Sequence, residues 1–149
     1  MLPTLMTLLI FGSILVPLLD QAIKLVVRDR LGSGSISLGV MGQLRVVQTH
    51  MWMVRAARGF TLAAMWILWI VAASALATIS ALAPSLGGCS GLLLGGSLSH
   101  AVETSLRGSI DDYVCLRFWP AFNLADVALT VGALGMVVEV FVAFHHVWS

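Results

Sequence analysis

The residues best suited to chemistry are two aspartates, Asp112 and Asp126, which lie 14 positions apart within residues 107–126. Apolar sequence flanks this stretch on both sides. Carboxylates at the edge of a hydrophobic protein are costly unless they are paired, solvated or used. Two carboxylates held close together share a proton, and such a pair can activate water and protonate a leaving amine. The pattern is compatible with peptide-bond hydrolysis, although acidic residues at a membrane rim are more often structural or solvated.

A third acidic residue, Asp111, precedes the first of these aspartates. We assign it no role and expect it to be a solvated neighbour. Asp126 is predicted to fall in the first turn of a helix, where a carboxylate is stabilised by the helix N-terminus. Asp20 and Lys24 are four residues apart, so they share a helix face and can pair. That pair is either a simple ion pair at the membrane boundary or a support for a site.

The composition indicates an integral membrane protein. Hydrophobic residues make up 59% of the 149-residue chain and charged residues only 10%, with a mean hydropathy of +1.00. Soluble domains carry about 25% charged residues, and a soluble chain with this balance would expose apolar patches and aggregate. The net charge of +1 and the lack of a basic stripe argue against a nucleic-acid partner. Cys89 and Cys115 form no disulfide framework.

The apolar segments predict an all-α membrane protein with four transmembrane helices, and residues 1–149 are expected to form a single integral membrane domain. About 20 apolar residues cross the hydrocarbon core. We interpret the first segment as a retained helix rather than a signal peptide, because it has no basic region or cleavage site. An active-site loop is expected at 103–120. The four helices are predicted at about residues 3–27, 60–83, 86–101 and 122–145.

The connection at residues 28–58 is the most polar part of the chain. Apolar residues alternate with small or polar ones on either side of Met41 and Gly42, which predicts a short β-hairpin with one apolar face. In the third helix, glycines and a serine recur every fourth residue, and small residues at this spacing let helices pack closely in lipid. Trp66 and Trp69 share a face of the second helix and are interpreted as lipid or packing contacts.

The chain resembles the lipoprotein signal peptidase family, also called signal peptidase II, along nearly its whole length. Residues 20–24 resemble the family's DQxxK motif, and residues 95–98 resemble its GGAxGN motif. Residues 108–113 resemble GxVxDF, and residues 122–126 match FNxAD. The short separation of the last two motifs is the most specific part of the resemblance.

The resemblance implies a membrane aspartyl protease without a metal or other cofactor. Such a protease cleaves prolipoprotein signal peptides just before a cysteine that carries diacylglycerol. Asp112 and Asp126 would form the catalytic pair and Asn123 would orient one of them, while Asp20 and Lys24 would brace the site. The hairpin would be an extracytoplasmic cradle that grips the substrate. The implied location is the bacterial cytoplasmic (inner) membrane, among phospholipids, with the site facing outward.

Two departures from the family pattern concern the surroundings of the pair. The NxxDR motif corresponds here to residues 100–104, where His100 and Glu103 are expected to contribute substrate contacts or support. The NTGAAF motif is absent, and residues 48–53 occupy its place. These departures favour an alternative hypothesis, a non-catalytic membrane subunit or binding protein that keeps the fold. A further alternative is a metal site in which His50 or Asp112 joins His100 and Glu103.

The distribution of basic residues conflicts with the implied orientation. Basic loops normally stay in the cytoplasm, yet every Lys and Arg is predicted on the side of the acidic pair. We follow the resemblance and expect this side to face outward. The residues concerned are Lys24, Arg28, Arg30, Arg45, Arg55, Arg58, Arg107 and Arg117.

Overall fold

The structure, a computed structural model, describes residues 2–49 and 60–148. Its elements follow the order helix, two strands, two helices, one further strand and a last helix, and the three strands form one small sheet. His50, a member of the metal hypothesis, and the rest of residues 50–58 lie outside the described residues. The elements are α1 (Leu2–Leu31), β1 (Ile36–Ser37), β2 (Gly42–Thr49), α2 (Phe60–Leu82), α3 (Gly87–Arg107), β3 (Ile110–Leu116) and α4 (Leu124–Trp148).

Helix α3 lies at the centre of the bundle because its glycines let both neighbours approach its backbone. A Cβ atom added at Gly91 would lie 2.8 Å from the carbonyl oxygen of Leu9 in α1. On the opposite side, a Cβ at Gly96 would lie 2.7 Å from the carbonyl oxygen of Ala125 in α4. Real Cβ atoms do not approach so closely, so these positions require glycine. The close packing predicted for the glycine-rich segment is confirmed.

Helix α2 packs against α3 through hydrogen bonds from its two tryptophans. The indole N–H of Trp66 donates to Ser105 Oγ at 2.9 Å, and that of Trp69 donates to Ser97 Oγ at 3.1 Å. The two rings also meet edge to face, with centroids 6.0 Å apart. The interpretation of both residues as packing contacts is confirmed.

The four predicted helices are all present, with shifted ends. Helix α1 continues to Leu31, and α3 continues to Arg107. Within the described residues, three helices are long and apolar enough to cross a membrane, namely α1, α2 and α4. Helix α3 has 21 residues, but its glycines and serines lower its hydropathy. The prediction of four spans is therefore supported for three helices.

The sheet has one strand more than the predicted hairpin. Strands β1 and β2 pair antiparallel, with Ile36 opposite Leu44. Strand β3 then pairs antiparallel with β2, placing Val47 opposite Asp112. Residues 103–120, predicted as a loop, contain the end of α3 and this strand. Two adjacent aspartates disfavour a strand locally, and the pairing with β2 that overrides them is not a local signal.

Candidate active site

Helix α4 begins with a reciprocal pair of hydrogen bonds between Asn123 and Asp126. The Asn123 backbone N–H donates to Asp126 Oδ2 at 2.9 Å, and the Asp126 backbone N–H donates to Asn123 Oδ1 at 3.1 Å. This is the geometry of a capping box, in which two otherwise unpaired helix donors are satisfied at once. The expected place of Asp126 in the first helical turn is confirmed.

The next two backbone donors of α4 are satisfied by other elements. The Leu124 N–H donates to the hydroxyl of Tyr113 in β3 at 3.0 Å. The Ala125 N–H donates to Asp20 Oδ1 in α1 at 3.2 Å. Since the first turn of a helix has no internal partners for these groups, the contacts fix the start of α4 relative to both α1 and β3.

Asp112 is 6% exposed and accepts two hydrogen bonds. The Asn123 side-chain amide donates to its Oδ1 at 2.6 Å, and the Thr49 hydroxyl donates to its Oδ2 at 2.7 Å. Asn123 is therefore bonded to both aspartates, through its side chain to Asp112 and through its backbone and carbonyl oxygen to Asp126. Residues that are 14 positions apart in the sequence converge on one asparagine.

His100 lies beside this pair on α3. Its Nε2 is 3.4 Å from Asp126 Oδ1 and 3.3 Å from Asn123 Oδ1. The Asn123 side chain is oriented by two hydrogen bonds: its NH2 group donates to Asp112, and its Oδ1 accepts from the Asp126 backbone N–H. The atoms that face His100 Nε2, Asn123 Oδ1 and Asp126 Oδ1, are therefore both acceptors. We therefore assign the ring proton to Nε2. With this tautomer, the Nε2–H of His100 donates to Asn123 Oδ1 and lies close to Asp126 Oδ1.

The two carboxyl groups have different environments. Burial raises the pKa of Asp112, and the negative charge of Asp126 adds to this, whereas the bonds from Thr49 and Asn123 act in the opposite direction. The Asp126 side chain is 37% exposed, so solvent reaches it. The fold therefore favours the protonated form of Asp112. Burial also raises the pKa of Tyr113 to about 12, so its hydroxyl stays neutral.

A chain of buried ion pairs supports the aspartates. The predicted pair is present, with Lys24 Nζ 2.8 Å from Asp20 Oδ2. Lys24 also binds Glu103 Oε2 at 2.5 Å. The second oxygen of Glu103 contacts the guanidinium of Arg28, whose Nε lies 2.5 Å from Asp111 Oδ2. Ser99 adds a hydrogen bond to Asp20 at 2.6 Å.

The expectation for Asp111 was wrong. This residue is 3% exposed and paired with Arg28, because the antiparallel register turns it toward α1 while its neighbour Asp112 faces Asn123. Sequence reasoning also missed Arg28 itself. A signal existed, since Asp20, Lys24 and Arg28 recur at four-residue spacing and must share a face of α1.

The structure thus brings all the predicted site residues to one end of the bundle: Asp20, Lys24, His100, Glu103, Asp112, Asn123 and Asp126. Within residues 2–49 and 60–148, no three His, Cys, Asp or Glu side chains are grouped closely enough to hold a metal ion. The chemistry that the arrangement supports is acid–base catalysis by two carboxyl groups in different environments, one buried and one open to solvent.

Comparison with known proteins identifies relatives over most of the chain. The family profile of signal peptidase (SPase) II matches residues 12–142. A protein named lipoprotein signal peptidase from Dehalococcoides mccartyi is 28% identical over 141 residues, covering 86% of this chain and 85% of its own length. Another of the same name, from Halothermothrix orenii, is 42% identical over 43 residues, which is 29% of this chain and 30% of the relative.

Two solved structures share the fold. One, described as a bacterial membrane enzyme, superposes with a TM-score of 0.74 at 18% identity and covers 89% of this chain and 91% of its own. A second, with the same description, gives a TM-score of 0.73 at 17% identity, with coverages of 89% and 87%. At these identities the likeness concerns the fold.

Proposed function

This chain belongs to the signal peptidase II family, a family of membrane peptidases that process lipoprotein precursors, and we propose that it is an aspartyl endopeptidase. Its substrates are prolipoproteins whose cysteine carries a lipid, and it cuts the peptide bond just before that cysteine. The observation that carries the proposal is that Asn123 is hydrogen-bonded to both aspartates. Its side-chain amide donates to Asp112, and its backbone N–H and side-chain oxygen bond to Asp126.

The unequal environments of the two aspartates suggest their roles. Asp126 is the more exposed, and donors from Asn123 and His100 face its carboxylate. It takes a proton from water as the water oxygen attacks the scissile carbonyl carbon. Asp112 holds its own proton and gives it to the carbonyl oxygen. The tetrahedral intermediate then collapses: Asp126 gives its newly acquired proton to the leaving nitrogen, the C–N bond breaks, and one hydroxyl of the intermediate returns a proton to Asp112 as the C=O bond forms again.

The remaining residues position the pair. Asp20 fixes the start of α4 through the Ala125 N–H, and Lys24 holds both Asp20 and Glu103. His100 stands where the family motif has asparagine, and its Nε2 lies beside the side chains of Asn123 and Asp126. We propose that these four residues support the site without exchanging protons with the substrate.

Membership of this family also supports a proposal for the bilayer setting. We propose that four helices cross the bacterial cytoplasmic membrane, with α3 surrounded by the three apolar helices and by phospholipid. The sheet and the aspartates lie at the outer face, where the lipid-modified cysteine of a translocated prolipoprotein arrives. The sheet then serves as the cradle for the substrate on this face.

Complementation of a bacterial strain that lacks its own signal peptidase II tests the proposal. The wild-type chain is expected to restore prolipoprotein processing, whereas Asp112→Asn and Asp126→Asn abolish it while still inserting. Asp29→Asn is the matched control, because Asp29 is an exposed acidic residue of α1. Purified wild-type protein that binds but never cleaves prolipoprotein would instead support a non-catalytic membrane subunit. Undiminished cleavage by either site variant would contradict the assignment of the pair.

A further inference from the structure

Arg28 lies at the junction of three elements but outside every family motif. The segment that resembles DQxxK ends at Lys24, one helical turn earlier. From α1, the Arg28 guanidinium contacts Glu103 in α3 and Asp111 in β3. Its side chain is only 18% exposed, so most of it has left solvent to make these contacts.

The buried charges around the site balance poorly without Arg28. Three buried carboxylates belong to the ion-pair chain, and Lys24 contacts two of them, Asp20 and Glu103. Asp111 depends on Arg28, and its second oxygen, Oδ1, is buried with no hydrogen-bond partner among the described residues. Breaking a buried ion pair leaves an uncompensated charge, which is strongly destabilising. Without Arg28, the favourable response is for Asp111 to move toward water.

Any such movement shifts the neighbouring catalytic aspartate. Asp111 and Asp112 are adjacent in β3, and successive side chains of a strand point to opposite faces. The ion pair between Arg28 and Asp111 on one face of β3 therefore fixes the position of the Asp112 carboxyl group on the opposite face. The 2.6 Å bond from Asn123 to Asp112 requires the strand to stay at this distance from α4.

We propose that Arg28 is a positioning residue for Asp112, which holds β3 against α1 and α3 without touching the reacting atoms. The family pattern has an arginine at the end of NxxDR, where this chain has Thr104. Thr104 Oγ1 is buried with no hydrogen-bond partner among the described residues. In this chain the guanidinium of Arg28, from α1, contacts Glu103, the residue just before Thr104. The kinetic part of this inference rests on the proposed peptidase function, and the structural part does not.

The kinetic test compares Arg28→Gln with Arg30→Gln, which removes the same charge from an exposed position on the same helix. Purified proteins are assayed with a prolipoprotein that carries diacylglycerol. We expect Arg28→Gln to lower kcat about a hundredfold, as displacement of a catalytic group by about 1 Å does, with KM changed less than twofold. Arg30→Gln is expected to stay within twofold of wild type in both constants.

A second measurement does not require activity. Hydrogen–deuterium exchange of the peptide containing Ile110–Leu116 is expected to quicken in Arg28→Gln and to stay unchanged in Arg30→Gln. If Arg28→Gln does not fold, Arg28→Lys takes its place, because lysine keeps the charge but lacks the two-pronged geometry. Unchanged exchange in β3, or an unchanged kcat in an active enzyme, overturns the inference. A wild type that cleaves nothing contradicts the proposed function, and the exchange comparison still decides the role of Arg28.

Discussion

Asn123 and Asp126 each donate a backbone N–H to a side-chain oxygen of the other, at 2.9 and 3.1 Å. This exchange makes the carboxylate at position 126 part of the helix start, so its position is fixed before any substrate arrives. The same asparagine then uses its remaining amide on Asp112. Helix capping and alignment of the two aspartates are therefore properties of one side chain, and substitution can separate them.

Replacement of Asn123 by serine is expected to keep the cap and lose the alignment. Serine caps helices about as well as asparagine, so Asn123→Ser should lose only the stability that comes from the hydrogen bond to Asp112. The serine side chain is too short to replace the hydrogen bond that the Asn123 amide donates to Asp112, so we expect kcat to fall about tenfold to a hundredfold. Asn123→Ala should lose the same activity and, in addition, about 1 kcal/mol of unfolding free energy. Equal stability of both variants would contradict the capping role.

The raised pKa of Asp112 predicts how stability depends on pH. Because burial makes the folded protein hold this proton more tightly than the unfolded chain does, the group favours folding least at high pH. Its contribution should be most favourable below the ordinary aspartate pKa of 3.8 and decline as the pH rises through the raised value. Unfolding midpoints of wild type and Asp112→Asn, measured across this range in detergent, should converge at low pH. A constant difference between them would contradict the prediction.

The same proton is expected to govern the fall of activity toward high pH. If Asp112 acts as the acid, cleavage should fall as the pH rises past its raised pKa, since the ionised form has no proton to give. The measurement is the pH dependence of kcat with a prolipoprotein carrying diacylglycerol. Asp29→Asn provides the control, because this exposed position should leave the profile unchanged. A rate that shows no decline toward high pH would exclude Asp112 as the proton donor.

The contact between α1 and α3 predicts opposite effects for two glycines of one helix. A Cβ at Gly91 would lie 2.8 Å from the Leu9 carbonyl oxygen, whereas a Cβ at Gly88 would meet no atom within 4 Å. Gly91→Ala should therefore push the helices apart and cost about 1–3 kcal/mol. Gly88→Ala should be neutral or stabilising by up to about 1 kcal/mol, because alanine favours helix. Thermal unfolding in detergent measures both, and similar losses would argue against the close contact.

The orientation in the membrane can be read from two exposed serines at opposite ends of the bundle. Ser33 follows α1 near the sheet, and Ser85 lies in the turn between α2 and α3. In a background with both native cysteines replaced, Ser33→Cys should react with a membrane-impermeant maleimide in intact cells. Ser85→Cys should react only after permeabilisation. The reverse pattern would place the aspartates in the cytoplasm, as the basic residues alone suggest.

Local sequence patterns predicted the parts of the site that lie within one element. The Asp20–Lys24 pair follows from four-residue spacing, and the place of Asp126 follows from the start of an apolar helix. By contrast, Arg28 and Asp111 are 83 positions apart in the sequence, and the packing of β3 against α1 brings them together. A pattern that extends over a few residues carries no information about such a pairing. For this reason Asp111 was predicted to be solvated, although it is buried.

Helix α3 depends on its neighbouring helices for its polar and packing contacts, and this dependence affects how the protein is made. Its serine hydroxyls are satisfied by neighbours, among them Ser80 for Ser90 and Asp20 for Ser99. Its bare glycine surface is covered by α1 on one side and α4 on the other. Until α4 has been synthesised, lipid would face that surface. We therefore expect α3 to pack stably only after α4 is made, so a nascent chain that stops before Leu124 should lack both this packing and the contacts of Asn123 with Asp126.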